Sequence, residues 1–173
     1  MPLLRGRRDE ASTTRYRMQE KLFAIGDDFW IENQEGRRAF RVNGKVLRIR
    51  DTLMLETTNG EELFSVQSKM LHVRDTMNIE RGGRKVASVK KALVSPLRDR
   101  FSIDVEDGED MEAKGNITDH EYKIERNGDQ VAEVSRRWFR VRDTYGVEIE
   151  PGQDDAFVLT LVICIDQMTH DVG

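Results

Sequence analysis

A marker of Arg-Asp followed by Thr or Arg recurs at Arg50-Asp51-Thr52, Arg74-Asp75-Thr76, Arg98-Asp99-Arg100 and Arg142-Asp143-Thr144. The first three aspartates are 24 residues apart, and one further step of 24 leads back from Asp51 to Asp27 and from Asp143 to Asp119. A fixed period of this length marks a repeated supersecondary unit, which constrains the fold more than composition does. The unit from Asp99 to Asp119 is four residues short.

Each unit carries a turn signal near its middle: Glu35-Gly36, Asn59-Gly60, Gly82-Gly83, Asp107-Gly108 and Asn127-Gly128. Such dipeptides supply the positive φ of tight hairpin turns. Apolar residues fall two and four places after most corners: Phe29 and Ile31, Leu53 and Leu55, Met77 and Ile79, Phe101 and Ile103, Tyr145 and Val147. Before the corners, Leu47 and Ile49, Leu71 and Val73, and Phe139 and Val141 keep one phase, and Arg48, His72 and Arg140 take the other. This is the period of a half-buried antiparallel strand. Each unit therefore reads strand, tight turn, strand, Asp corner. After Asp119 the phase slips by one, to Tyr122 and Ile124, which predicts a bulge or an altered corner. Pro96 suits an edge or bulge position.

Five units give ten strands; Tyr16–Ile25 before them and Thr144–Glu150 after them bring the total to twelve. A long meander with one apolar face removes its exposed edges by closing, and a barrel of this size needs something inside it. The C-terminus supplies the filler. Pro151-Gly152 breaks the last strand, and Asp154 and Asp155 suit a helix start. From Ala156 to Met168 only Thr160, Asp166 and Gln167 interrupt an all-round apolar surface, as in a buried helix. A helix over 154–168 would be about 22 Å long at 1.5 Å per residue. Its core residues are Phe157, Leu159, Leu161, Val162, Ile163, Cys164 and Ile165. The β-branched residues among them leave a buried strand as the alternative by propensity alone. The expected fold is mainly β: a twelve-stranded antiparallel closed barrel around a buried apolar C-terminal helix.

At 173 residues the chain fits one domain, read as a tail over 1–14 and a barrel over 15–170. Its net charge of −4 provides no global basic field for nucleic acid. Cys164 is the single cysteine, so there is no internal disulfide, which suits a reducing compartment. The first residues lack the apolar run of a signal peptide. The longest apolar run, Ala156–Ile165, has ten residues, well below the roughly 20 of a membrane span. The expected location is the cytoplasm, with room for a peripheral membrane role.

The run YRMQEKLFAIGDDFWIENQEGRRAFRVNGKVLRIRDTLMLE and the later EVSRRWFRVRDTYGVEI resemble the LURP-one-related family, which is grouped with tubby C-terminal domains and phospholipid scramblases. The resemblance extends from Tyr16 to about Met168. It implies a twelve-stranded barrel around a central hydrophobic helix, in a family with no established enzymatic activity. Tubby-like relatives bind phosphoinositide headgroups through surface cations, but no tubby motif here allows those residues to be carried over. Scramblases have a long membrane helix and a palmitoylated cysteine-rich segment, and this chain shows neither.

His72, His120 and His170 are scattered, with no second histidine or cysteine at ligand spacing, and read as surface histidines. No cofactor or metal is expected. The acidic groups Asp104–Glu112 and Glu148, Glu150, Asp154 and Asp155 offer oxygen ligands for calcium without EF-hand spacing, and are read as solvated turns and a helix cap. The corners Asp27, Asp51, Asp75, Asp99, Asp119 and Asp143 repeat, so they are read as structural, each accepting nearby backbone N–H groups. One cationic group stands out. Arg136, Arg140 and Arg142 share a strand phase with Trp138, which would project all four outward, while Phe139 would point inward. Lys90 and Lys91 come from an earlier strand. Together these residues suit an anion or lipid headgroup, against the plainer reading of a charged barrel exterior. The expected function is a non-catalytic module that binds a partner protein or an anionic phospholipid. The alternatives are a scramblase-like membrane protein, or a small-molecule-binding or enzymatic barrel.

Overall fold

The repeat becomes a ring of hairpins. The computed structural model describes residues 12–19, 28–43, 52–67, 76–92, 99–140 and 142–170. The strands are β1 (Thr14–Gln19), β2 (Phe29–Asn33), β3 (Arg38–Asn43), β4 (Thr52–Thr57), β5 (Glu62–Gln67), β6 (Thr76–Arg81), β7 (Arg84–Ala92), β8 (Asp99–Val105), β9 (Met111–Asn116), β10 (Glu121–Arg126), β11 (Asp129–Ser135) and β12 (Thr144–Ile149). Among the described residues one helix, α1 (Asp155–His170), follows. Each strand pairs antiparallel with its neighbours in sequence, and β1 pairs with β12 to close the barrel.

All five turn dipeptides sit at hairpin tips. At Gly82-Gly83 and Asn127-Gly128 both central residues have positive φ, as a two-residue type I′ hairpin requires. The described corners, at Asp99, Asp119 and Asp143, lie at the opposite end of the barrel. Asp27, Asp51, Asp75, Pro96, His72 and the apolar pairs Leu47/Ile49 and Leu71/Val73 lie outside the described residues, as does Val141. Asp99 opens β8, and its side chain is not described.

Period-two burial holds through the strands. Ile31, Leu53, Leu55, Met77, Ile79, Phe101, Ile103, Tyr145 and Val147 are buried. The slip after Asp119 is also present: Tyr122 and Ile124 face the core, and the extra residue, His120, takes φ 54°. Outward residues pair across strands, with Arg17 bonded to Glu32, Arg41 to Glu56 at 2.5 Å, Lys90 to Asp104 at 2.8 Å and Lys114 to Glu125 at 2.9 Å. Each such pair contributes little by itself, roughly 0–1 kcal/mol, but together they favour one register.

Helix α1 fills the interior. Val158, Leu159, Leu161, Val162, Ile163, Cys164 and Ile165 have no exposed surface. Burial on all sides overrides the weak helix propensity of the β-branched residues. Asp154 is the N-cap, its carboxylate accepting the Phe157 N–H at 3.2 Å, and Asp155 opens the first turn. The helix runs two residues past the expected end. Phe157 is only partly buried and sits at the mouth instead of in the core. Among the described residues, no helix is long and apolar enough to cross a membrane.

Candidate functional site

The connection from β11 to β12 departs from the expected strand. Ser135 ends β11 by turning its hydroxyl to Glu121 Oε1 at 3.0 Å, and the Arg136 N–H donates to the same oxygen at 3.0 Å. The Arg137 N–H then donates to Ser135 Oγ at 3.2 Å. With the backbone taken up this way, residues 136–140 leave the sheet, and strand phase no longer sets where their side chains go.

Trp138 and Phe139 fold back onto β12 over Gly146. A Cβ at Gly146 would lie 2.7 Å from Trp138 Cε3 and 2.9 Å from Phe139 Cε2, so only glycine admits both rings. Gly146 lies between the core residues Tyr145 and Val147 and thus faces outward, which puts both rings on the outer wall. This corrects the expected inward placement of Phe139. The cations over the rings are also not the expected ones. The Arg15 guanidinium lies 4.6 Å from the Trp138 ring centre, and that of Arg17 lies 6.0 Å from Phe139. Arg15 is held there by Glu148 at 2.6 Å.

The arginines of the connection divide. Arg140 and Arg142 are exposed and form no ion pair among the described residues. Arg137 is also exposed and lies 3.8 Å from Glu121. Arg136 instead turns back, its Nη2 donating to His120 Nδ1 at 3.3 Å. Lys90 and Lys91 lie elsewhere. They are on β7, and β8 to β11 separate that strand from β12 around the ring. Lys90 is paired with Asp104, which pushes its ammonium pKa up, and Lys91 has the inward phase of Val89.

Beneath the connection is a buried polar cluster absent from the sequence reading. His120 is fully buried and not at the surface. Its Nδ1 accepts from Arg136, so Nε2 carries the proton and donates to Asp166 Oδ1 at 2.9 Å. The Tyr145 hydroxyl donates to the other Asp166 oxygen, and the Tyr145 and His120 rings stack with centroids 4.2 Å apart. Tyr122 Oη is buried without a hydrogen-bond partner among the described residues. Burial first, and the Asp166 charge second, push that phenol well above its usual pKa. Two signals marked this cluster: the polar pair Asp166-Gln167 in an apolar helix and the phase slip beside His120. The cluster can anchor the helix, but it presents no accessible nucleophile. Cys164 is sealed in the core, and burial pushes its thiol pKa up.

Most residues of the two acidic groups are individually engaged, Asp107 being the exception among the described residues. Lys90 pairs with Asp104, Lys85 with Glu106 and Arg100 with Glu112. Asn127 donates to Glu109, and the Val105 N–H donates to Asp110. Glu148 is held by Arg15, Glu150 by Gln130 and Asp155 by Tyr16.

A family model described as LURP-one-related matches residues 14–166. An X-ray structure of a protein from Arabidopsis thaliana superposes with a TM-score of 0.69 at 19% identity, over 91% of each chain, a likeness of fold. No curated protein matches.

Proposed function

The chain belongs to the LURP-one-related family, and from that premise we propose that it is a non-catalytic binding module whose β11–β12 connection engages anionic phospholipid headgroups. One observation carries this reading. The interior is filled by α1, while Trp138 and Phe139 lie on the outer wall with Arg140 and Arg142 exposed in the same segment. Guanidinium groups bind phosphate through paired donors, and an indole suits the polar–apolar boundary of a membrane. Because the net charge is −4, attraction would come from this local patch and fall steeply with salt.

A scramblase-like release of α1 into lipid is disfavoured. It would take Asp166 away from its donors His120 and Tyr145 and into hydrocarbon, at a cost of at least ~2.5 kcal/mol. Co-sedimentation with vesicles of phosphatidylserine and phosphatidylcholine, or of phosphatidylcholine alone, tests the proposal. Wild type should pellet with the anionic vesicles at low salt, and Arg140→Glu/Arg142→Glu should abolish this without changing the melting temperature. Arg136 is left intact because it bonds His120. Equal pelleting on neutral vesicles, or no effect of the double substitution, would refute it.

A further inference from the structure

The hairpin-tip end of the barrel, away from the β11–β12 connection, holds an open cleft of about 200 Å³ beside the start of α1. Its floor is apolar. Phe64 is buried there, Val86, Val105 and Phe157 are only partly buried, and the Phe64 and Phe157 ring centres lie 5.7 Å apart. A cavity of about 150 Å³ admits one benzene ring, whereas small-molecule sites run to roughly 300–1,000 Å³. The cleft therefore takes one bulky apolar side chain and is too small for a whole cofactor.

The rim decides the charge of the occupant. Arg81, Asp107 and Asp154 line it and sum to −1. Arg81 is already engaged, its guanidinium lying over the Phe64 ring at 5.3 Å and 3.8 Å from Asp154. Cation, ring and carboxylate thus already associate at this mouth. Asp107 is exposed and has no hydrogen bond or ion pair among the described residues. Its turn adds Glu106, Glu109 and Asp110, against the Lys85 ammonium 3.2 Å from Glu106. A phosphate, a nucleic acid or an anionic bilayer would meet these carboxylates and be repelled. A cation beside an apolar side chain complements both floor and rim.

We propose that this cleft docks a basic segment of a partner protein, which seats one bulky apolar side chain on Phe64 and Phe157 and pairs a flanking arginine or lysine with Asp107. One anchor and one rim ion pair make a small interface of the transient kind. The proposal is independent of the headgroup reading, which concerns the other end of the barrel.

The test titrates the full chain with a heptapeptide that carries one phenylalanine between arginine pairs, and follows the Val86 and Val105 methyl signals by NMR. Both should shift saturably, and added salt should weaken binding. An analogue with serine in place of the phenylalanine should bind at least about tenfold more weakly, the loss expected of an anchoring aromatic. Asp107→Lys should weaken the phenylalanine peptide about fivefold or more and leave the melting temperature unchanged, because the residue is exposed. If that variant melts lower, Asp107→Asn replaces it and should weaken binding in the same direction. No saturable shift up to about 1 mM peptide would overturn the proposal. So would equal binding of the serine analogue, which would leave only charge attraction, or no effect of either substitution at Asp107. Shifts of the two methyls with dispersed short-chain phosphatidylserine, and not with the peptide, would also overturn it and assign the cleft to lipid.

Discussion

His120 Nε2 donates to Asp166 Oδ1 at 2.9 Å, joining the corner before β10 to the far end of the central helix, 46 residues away. Asp166 is 2% exposed and takes its second bond from Tyr145, so the carboxylate is desolvated and compensated by protein donors. Removing one donor should be costly. His120→Ala or Tyr145→Phe should each destabilise by about 2–4 kcal/mol, because a hydrogen bond to a buried charge is lost and the carboxylate is left under-satisfied. Urea unfolding measures this. A loss below about 0.5 kcal/mol for both variants would mean the cluster does not hold the helix.

Tyr16 and Tyr122 have phenols shifted upward, each mainly by burial. In the unfolded chain both ionise near pH 10. A folded pKa above the unfolded one contributes stability that is present below about pH 10 and is lost as pH rises toward the folded value. Alkaline titration should thus show these tyrosines ionising together with loss of the circular-dichroism signal. Two phenols titrating reversibly near pH 10 in a folded barrel would contradict the burial described for them.

Deleting 154–173 should abolish cooperative unfolding, because the inward faces of twelve strands would then enclose a void. Leu161→Asp should come close to the same result, since Leu161 has no exposed surface and an unpaired buried carboxylate is very unfavourable. A soluble truncated chain that still melts cooperatively would show that the barrel stands without its helix.

The repeat made most of this fold legible. Strand, turn and corner each recur for a local reason: alternating burial, positive φ at the tips, and a glycine or asparagine to supply it. The buried cluster was hidden because its members come from three unrelated places, a corner, β12 and α1, and nothing local to His120 says that a helix end will cover it. The placement of side chains around Trp138 was hard to read for a related reason. Period-two phase was extended through Trp138 to Val141, but Glu121, a cross-strand neighbour, takes the backbone of Ser135 and Arg136 out of the sheet. Arg15 and Arg17 were then missed because β1 becomes adjacent to β12 only on barrel closure.

Asp119 and Asp143, the two corner aspartates whose side chains are described, differ in their surroundings. Asp119 and Asn116 bond each other reciprocally: the Asn116 amide donates to Asp119 Oδ2 at 2.7 Å, and the Asp119 N–H donates to Asn116 Oδ1 at 3.3 Å. Asn116, and not the aspartate, thus accepts the backbone N–H. Asp143 is exposed and holds φ 59°, a left-handed conformation that Asp and Asn tolerate better than most residues. Asp143→Gly should accordingly be neutral or stabilising by up to about 1 kcal/mol, whereas Asp143→Val should cost about 1–2 kcal/mol. Thermal melts of the two variants decide. Equal losses would restore a hydrogen-bonding role for this carboxylate.

Gly146 provides the last test, because it makes the outer aromatic layer possible. A methyl there would sit 2.7 Å from Trp138 and 2.9 Å from Phe139, too close for either ring to stay, and both lie under arginines that are themselves anchored. Gly146→Ala should therefore cost about 1–3 kcal/mol, the usual range for overpacking. It should also shift the Trp138 emission to longer wavelength as the indole lifts into water. Trp30 provides an internal reference, since it lies under Arg38 on β2, with β1 between it and β12. Trp30→Phe then isolates the Trp138 signal. Adding Trp138→Ala and Phe139→Ala should remove the clash, so that Gly146→Ala costs less than about 0.5 kcal/mol in that background, a coupling only contacting residues show. If the alanine costs the same with and without the rings, the loss reflects strand geometry at position 146, and the rings do not rest on β12 in solution.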